Sequence, residues 1–184
     1  MGIVADHLDS LTVRVTSPDN QITAQLANRT QVAFEFRPDC YRGYAETGLE
    51  RQLAKTCRLL WVGYTRGYAT VMESVGLTFK TKPSQAKTPA ERRFLTERTQ
   101  LIAIGATTRR LVRLRTVGLI DWEVRIVDGT VARLTEAEFL AELHEAGQAL
   151  MHEFNKKMVF LKDDCYDMGL ARQLRAKGIE PPVW

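Results

Sequence analysis

Two dipeptides in one stretch begin like a metalloprotease signature. His144-Glu145 and His152-Glu153 each open a His-Glu-x-x-His pattern, in which two histidines one turn apart hold zinc and the glutamate serves as base. Positions 148 and 156 hold Gln148 and Lys156, so the second histidine is missing both times. His144 and His152 stand about two helical turns apart, too far to share an ion from adjacent turns. Cys40, Cys57 and Cys165 are odd in number, widely spaced and without a Cys-x-x-Cys pair. They read as plain thiols in a reducing cytosol, not as a disulfide framework or a zinc site. Asp163-Asp164-Cys165 sets two carboxylates beside a thiol but supplies no base to activate the sulfur, and reads as a solvated loop. No phosphate-binding glycine loop and no Gly-x-Ser-x-Gly elbow is present. The chain therefore reads as non-enzymatic, with no metal and no cofactor.

The arginines offer more. The chain of 184 residues carries a net charge of only +4, but the charge is uneven. Residues 87–115 hold Lys87, Arg92, Arg93, Arg98, Arg109, Arg110, Arg113 and Arg115 against Glu91 and Glu97. Residues 116–184 hold eight basic and twelve acidic side chains. A basic centre of this kind can set up a field for a polyanion. Arginine suits phosphate because its planar fork makes paired hydrogen bonds. Arg92, Arg93, Arg109, Arg110, Arg113 and Arg115 are the candidate nucleic-acid contacts, with Arg51, Lys55 and Arg58 as possible helpers. The alternative is a solvated face neutralised by Glu136, Glu138, Glu142 and Glu145 on the helix that follows.

These side chains need elements to hold them. Val13-Arg14-Val15, Ile22 to Ala27 and Val32 to Phe36 alternate with period two and are separated by turn residues, Pro18-Asp19-Asn20 and Asn28-Arg29-Thr30. They predict a three-stranded meander with one buried face. Leu49, Leu53, Cys57, Leu60, Tyr64, Tyr68 and Val71 recur at spacings of three and four, predicting a helix from about Glu46 to Ser74. Gly63 and Gly67 within it cost about 1 kcal/mol each against alanine, a cost that close approach of a helix or a sheet would offset. Trp61, Tyr64 and Tyr68 could stack bases, though at helical spacing they also suit a core or an interface. Residues 80–87 read as a linker.

Thr88-Pro89-Ala90-Glu91 announces a further helix, with Leu101 and Ile102 on its apolar side and Gly105 as its stop. A second meander is predicted over Leu111–Thr116, Asp121–Val127 and Thr130–Leu134, with Asp128-Gly129 as a hairpin turn. Thr135-Glu136-Ala137-Glu138 opens a long helix to about Lys157. A short helix over Asp167–Lys177 and an extended tail, Pro181 to Trp184, follow. Trp184 is either a loose end or an anchor for a partner.

The two stretches share a pattern of three strands and then a long helix, at a spacing near 100 residues. A small sheet covered by one helix leaves apolar surface open, and two such units in one chain can cover each other. The fold class is thus α+β, in two similar halves. The divisions are 1–79, a linker 80–87, 88–160, and a C-terminal helix and tail 161–184.

The order of strands and helix, the run Val13-Arg14-Val15-Thr16-Ser17-Pro18-Asp19-Asn20, the hydrophobic third strand, and Phe36-Arg37-Pro38-Asp39 leading into a helix resemble the YbaB/EbfC nucleoid-associated family. The form resembled most is the actinobacterial one, which includes proteins encoded beside type VII secretion systems. The likeness covers Leu11 to about Ser74 and, more weakly, Thr88 to Lys157. It implies a helix, three antiparallel strands and a helix, here fused as an intramolecular pseudo-dimer in place of a homodimer. It also implies DNA binding at the nucleoid in the cytoplasm. The first half departs from the family in lacking a long leading helix, since Met1 to Ser10 is too short; that segment also lacks the pattern of a signal peptide. No stretch is apolar enough for a membrane span. Two readings follow: sequence-nonspecific binding to the DNA backbone, or a protein-interaction module, chaperone-like and linked to type VII secretion, using Gly63, Gly67, Trp61, Tyr64, Tyr68 and Trp184.

Overall fold

A computed structural model describes residues 10–28 and 31–169, together with positions 173, 176 and 177. Strands β1 (Val13–Thr16), β2 (Ile22–Ala27) and β3 (Gln31–Phe36) form one antiparallel sheet in that order, followed by helix α1 (Glu46–Ser74). Helix α2 (Pro89–Gln100) then leads into a second sheet, β4 (Ile102–Ala106), β5 (Val112–Val117) and β6 (Asp121–Ile126). A single turn, α3 (Thr130–Arg133), precedes the long helix α4 (Glu136–Tyr166). The architecture is the α+β pair of sheet-and-helix units that the pattern predicts.

The second meander is shifted by one strand from the predicted one. Its first strand is Ile102–Ala106, the segment read as the end of a helix, and Thr130–Leu134 is not a strand. Two features misled the pattern. Leu101-Ile102-Ala103-Ile104-Gly105 is apolar throughout, so no alternation marks it as a strand. Gly129, at φ 76°, does turn the chain, but into α3 and not into a hairpin. Likewise α4 continues to Tyr166, past Lys157, and ends at Asp167 with φ 48°. The tail from Pro181 to Trp184 lies outside the described residues.

With the strands correctly matched, equivalent positions lie 90 residues apart. Ile22 answers to Val112, Gln31 to Asp121 and Glu46 to Glu136, each the first residue of its element. The turns repeat as well. Asn20 and Arg110 have φ 59° and 56°, and Asp39 and Gly129 have φ 64° and 76°. Ser17 Oγ accepts from the Gln21 and Ile22 amides at 3.3 and 2.9 Å, and Thr107 Oγ1 from the Leu111 and Val112 amides at 3.0 and 3.4 Å. Agreement in backbone turns, where sequence identity is low, supports duplication of one ancestral unit.

Each half covers the other. Helix α1 lies on β1 and β2 of its own sheet and on β6 of the other. Helix α4 lies on β4 and β5 and reaches β3. Phe36, Tyr41 and Phe139 meet where the halves join, with ring centroids 5.2 to 6.1 Å apart. They belong to one continuous core with Leu49, Leu53, Val112, Leu114, Leu143 and Leu150. The join is also polar. Arg42 donates to the Val131 and Ala132 carbonyls at 2.7 Å, and Glu50 accepts the Ile126 amide at 2.8 Å. This is the isologous geometry of a homodimer held within one chain.

Small residues let helix and strand approach, but on opposite partners in the two halves. In the first, Gly63 and Gly67 sit on the helix; a methyl at either would come within 2.5 Å of Val13 Cγ1 or 2.6 Å of Leu11 Cδ1. This is the close approach to a sheet that the two glycines call for. In the second, the small residues Ala103 and Gly105 sit on the strand. A methyl at Gly105 would run into the Ala146 carbonyl and the Leu150 amide, which are backbone and cannot give way. Gly105→Ala should therefore destabilise by about 1–3 kcal/mol, as overpacking does. Gly147→Ala, in α4 with no atom within 4 Å of the added methyl, should stabilise by about 1 kcal/mol through helix propensity. Urea unfolding of the two variants checks both signs.

The β1–β2 turn is tied to the join through Asp19. Partial burial raises the Asp19 carboxyl, but hydrogen bonds from Ser17 Oγ, Tyr44 Oη and the Gln21 amide outweigh it and hold it below 3.8. A carboxyl held low in the folded state contributes stability above its unfolded pKa and loses it as pH falls through the folded one. Wild-type protein should lose stability below about pH 4, and Asp19→Asn should show a flatter acid limb in unfolding followed from neutral pH downward.

Candidate nucleic-acid interface

Strand β5 points Val112, Leu114 and Thr116 into the core and Arg113 and Arg115 outward. Strand β6 does the same with Val124 and Ile126 inward and Glu123 and Arg125 outward. The register sets Arg113 directly opposite Arg125, and Arg115 opposite Glu123. These four side chains line a shallow depression on the outer face of the second sheet. Arg125 reaches Glu123 at 2.9 Å and Glu50 on α1 at 3.8 Å. The outer face of the first sheet differs: Arg14, Thr16, Thr23, Gln25 and Glu35 leave it near neutral, with Arg14 and Glu35 4.0 Å apart.

The other predicted arginines scatter. Arg93 pairs with Glu97 at 2.7 Å and with Asp164, which together raise its guanidinium pKa further. Arg109 pairs with the buried Glu142 at 2.6 Å. Arg98 is drawn inward over the Phe79 ring, 5.7 Å from its centroid, and burial lowers its pKa. Arg110 stands exposed at the tip of the β4–β5 turn, beside the start of β5, and Arg92 is exposed on α2. Arg51, Lys55 and Arg58 project to solvent from α1, the helix that flanks β6. The structure thus brings together Arg113 and Arg115 and adds Arg125, which the sequence reading passed over. Its signal was there: once Trp122, Val124 and Ile126 are placed inward, Arg125 must share the outer face.

The acidic helix after the second sheet does neutralise part of the basic stretch. Glu142 takes Arg109, Glu145 accepts from the Thr108 amide and hydroxyl, and Glu138 caps its own helix from Thr135. None of these reaches the outer face.

The residues proposed for partner contact are largely engaged internally. Gly63 and Gly67 face β1, Trp61 packs on the main core, and Tyr64 joins Ala24, Leu26 and Leu60 in a smaller cluster. Tyr68 lies 4.5 Å from the Phe79 ring. Trp184 is outside the described residues. His144 and His152 are exposed on α4, and among the described residues no three His, Cys, Asp or Glu side chains gather to hold a metal. Cys57 is buried, which pushes its thiol up to about 12. Among the described residues no helix is long and apolar enough to cross a membrane.

No protein-family model, no curated protein and no solved structure matches this chain.

A like-charge pair directly across two strands destabilises a sheet. Arg113→Thr should therefore raise stability by about 0.2–1 kcal/mol, while Glu123→Ala, which strips the face of its carboxylate, should lower it. Thermal unfolding at low salt, where surface charge is least screened, checks the two signs.

Proposed function

We propose that this protein binds the phosphate backbone of duplex DNA through the outer face of the second sheet, without base readout and without catalysis. The observation that carries the reading is the Arg113–Arg125 pair, two guanidiniums set opposite each other with Arg115 beside them, of which, among the described residues, Arg125 alone is paired, with Glu123 and Glu50. A soluble sheet gains nothing from that juxtaposition, whereas an anion bound between the two would relieve it. Guanidinium forks suit phosphate oxygens. Arg110 at the neighbouring turn extends the surface, and the α1 residues Arg51, Lys55 and Arg58 offer further contacts beyond β6. Binding that depends on phosphate fits three guanidiniums spread over an open sheet face. The resemblance to nucleoid-associated proteins points the same way.

Binding through phosphates depends on salt, with a slope of log K against log salt of about −0.9 per phosphate neutralised. Fluorescence anisotropy with a duplex of mixed sequence, repeated over a salt series, should give a slope of roughly −2 to −3 for two or three contacts. Arg113→Ala and Arg125→Ala should each reduce the slope by about one and weaken binding to all sequences alike. Absence of binding at low salt, or a slope untouched by both variants, removes the reading.

A further inference from the structure

The duplication provides an internal control for how each sheet edge is treated. Both outer strands, β1 and β4, are edge strands whose alternate amides and carbonyls point away from their sheets. On β4 that edge is closed. The Ile104 amide donates to Glu153 at 3.0 Å, Lys157 donates to the Ile102 carbonyl at 3.0 Å, and Glu153 and Lys157 pair at 2.9 Å. The positions 90 residues earlier are Arg14 on β1, Thr12 just before it, and Gly63 and Gly67 on the helix. Both caps are glycine in the first half. The register pairs Val13 and Val15 inward with β2, which turns the Arg14 amide outward, and among the described residues no acceptor reaches it.

The charge beside the edge has changed sign. The flank of α4 over β4 carries Glu142, Glu145 and Glu153, with Lys156 and Lys157. The matching positions of α1 are Gln52, Lys55 and Gly63, with Arg66 and Gly67. Arg14 stands where the other half has Ile104, and the Glu35 carboxylate is 4.0 Å away with both side chains mostly exposed. Leu59 and Val62, on the same stretch of α1, are 42% and 37% exposed.

We propose that the β1 edge is a strand-addition site for an extended, acidic segment of another protein. Main-chain hydrogen bonds would form to the Thr12 carbonyl, to both groups of Arg14 and to the Thr16 amide. The added strand's outer-face carboxylates would meet Arg14, its alternate apolar side chains would meet Leu59 beneath α1, and Lys55 and Arg66 would add a basic field along that flank. Affinity in this mode comes from the ladder and selectivity from alternate side chains. A second copy of β1 suits the edge less well, because it would bring Arg14 and the basic flank against themselves.

A fluorescein-labelled peptide alternating glutamate and valine tests this by anisotropy, against one alternating lysine and valine. Only the acidic peptide should bind. Arg14→Pro removes an outward amide that the native sheet does not use and should weaken binding roughly tenfold, the loss of one or two backbone hydrogen bonds. The triple variant Val13→Ala, Gly63→Glu and Gly67→Lys transplants the cap of the other half and should abolish binding, with a cooperative unfolding transition showing that it is folded. Both variants leave Arg113 and Arg125 intact, so DNA binding should be unchanged in either. Failure of the acidic peptide to bind, or equal binding by wild type and both variants, overturns the proposal. So does a wild-type dimer in light scattering that Arg14→Pro dissociates, which would assign the edge to a second copy.

Discussion

The fold depends on two incomplete units closing over one shared core. Three strands and one helix bury too little apolar surface to stand alone, and small domains are marginal for that reason. Here each long helix spans its own sheet and reaches a strand of the other, so Phe36, Tyr41 and Phe139 are packed by residues of both halves. The polar groups at the join obey the same logic. The outward amide of Ile126, on an edge strand, is accepted by Glu50 from the other half, so burying the edge leaves it satisfied. Arg42 ties the first half to the α3 turn of the second through two carbonyls.

The two halves differ in side chains where their backbones agree. Close packing needs a small residue where helix meets strand, but it does not specify which partner supplies it. One copy places it on the helix, Gly63 against Val13; the other has Ala103 at the matching strand position and Glu153 at the matching helix position. That choice has consequences at the surface. A helix freed from being small at those positions can carry Glu153 and Lys157 to cap the β4 edge; a helix committed to glycine cannot. The two outer sheet faces diverged as well, one near neutral and one gathering Arg113, Arg115 and Arg125.

Much of this was legible in the residues, and the misreadings have physical causes. Alternation in Val13–Thr16, Ile22–Ala27 and Val32–Phe36 marks strands with one wet face, and the first sheet lies where it predicts. The Thr88 N-cap and the Thr135 capping box mark helix starts through local hydrogen bonds, which need no tertiary context. Strand β4 was hidden because Ala103 and Gly105 are too small to signal a buried face, and their size matters only once α4 is in place. That one lost strand shifted the repeat from 90 residues to about 100. The arginine site was half legible. Arg113 and Arg115 declare themselves by alternation, but Arg125 joins them only through register, and the removal of Arg93 and Arg109 depends on carboxylates distant in sequence.

Trp61 on α1 and Trp122 on β6 report separately on the two halves and pack against the same core. Urea unfolding followed by fluorescence, in one variant that keeps only Trp61 and another that keeps only Trp122, tests the shared core directly. Once each variant is referenced to its own circular-dichroism transition, the account predicts that each tryptophan reports the whole-chain transition, with one midpoint and one slope. A tryptophan that unfolds apart from the rest of its chain, one half melting while the other persists, would contradict it.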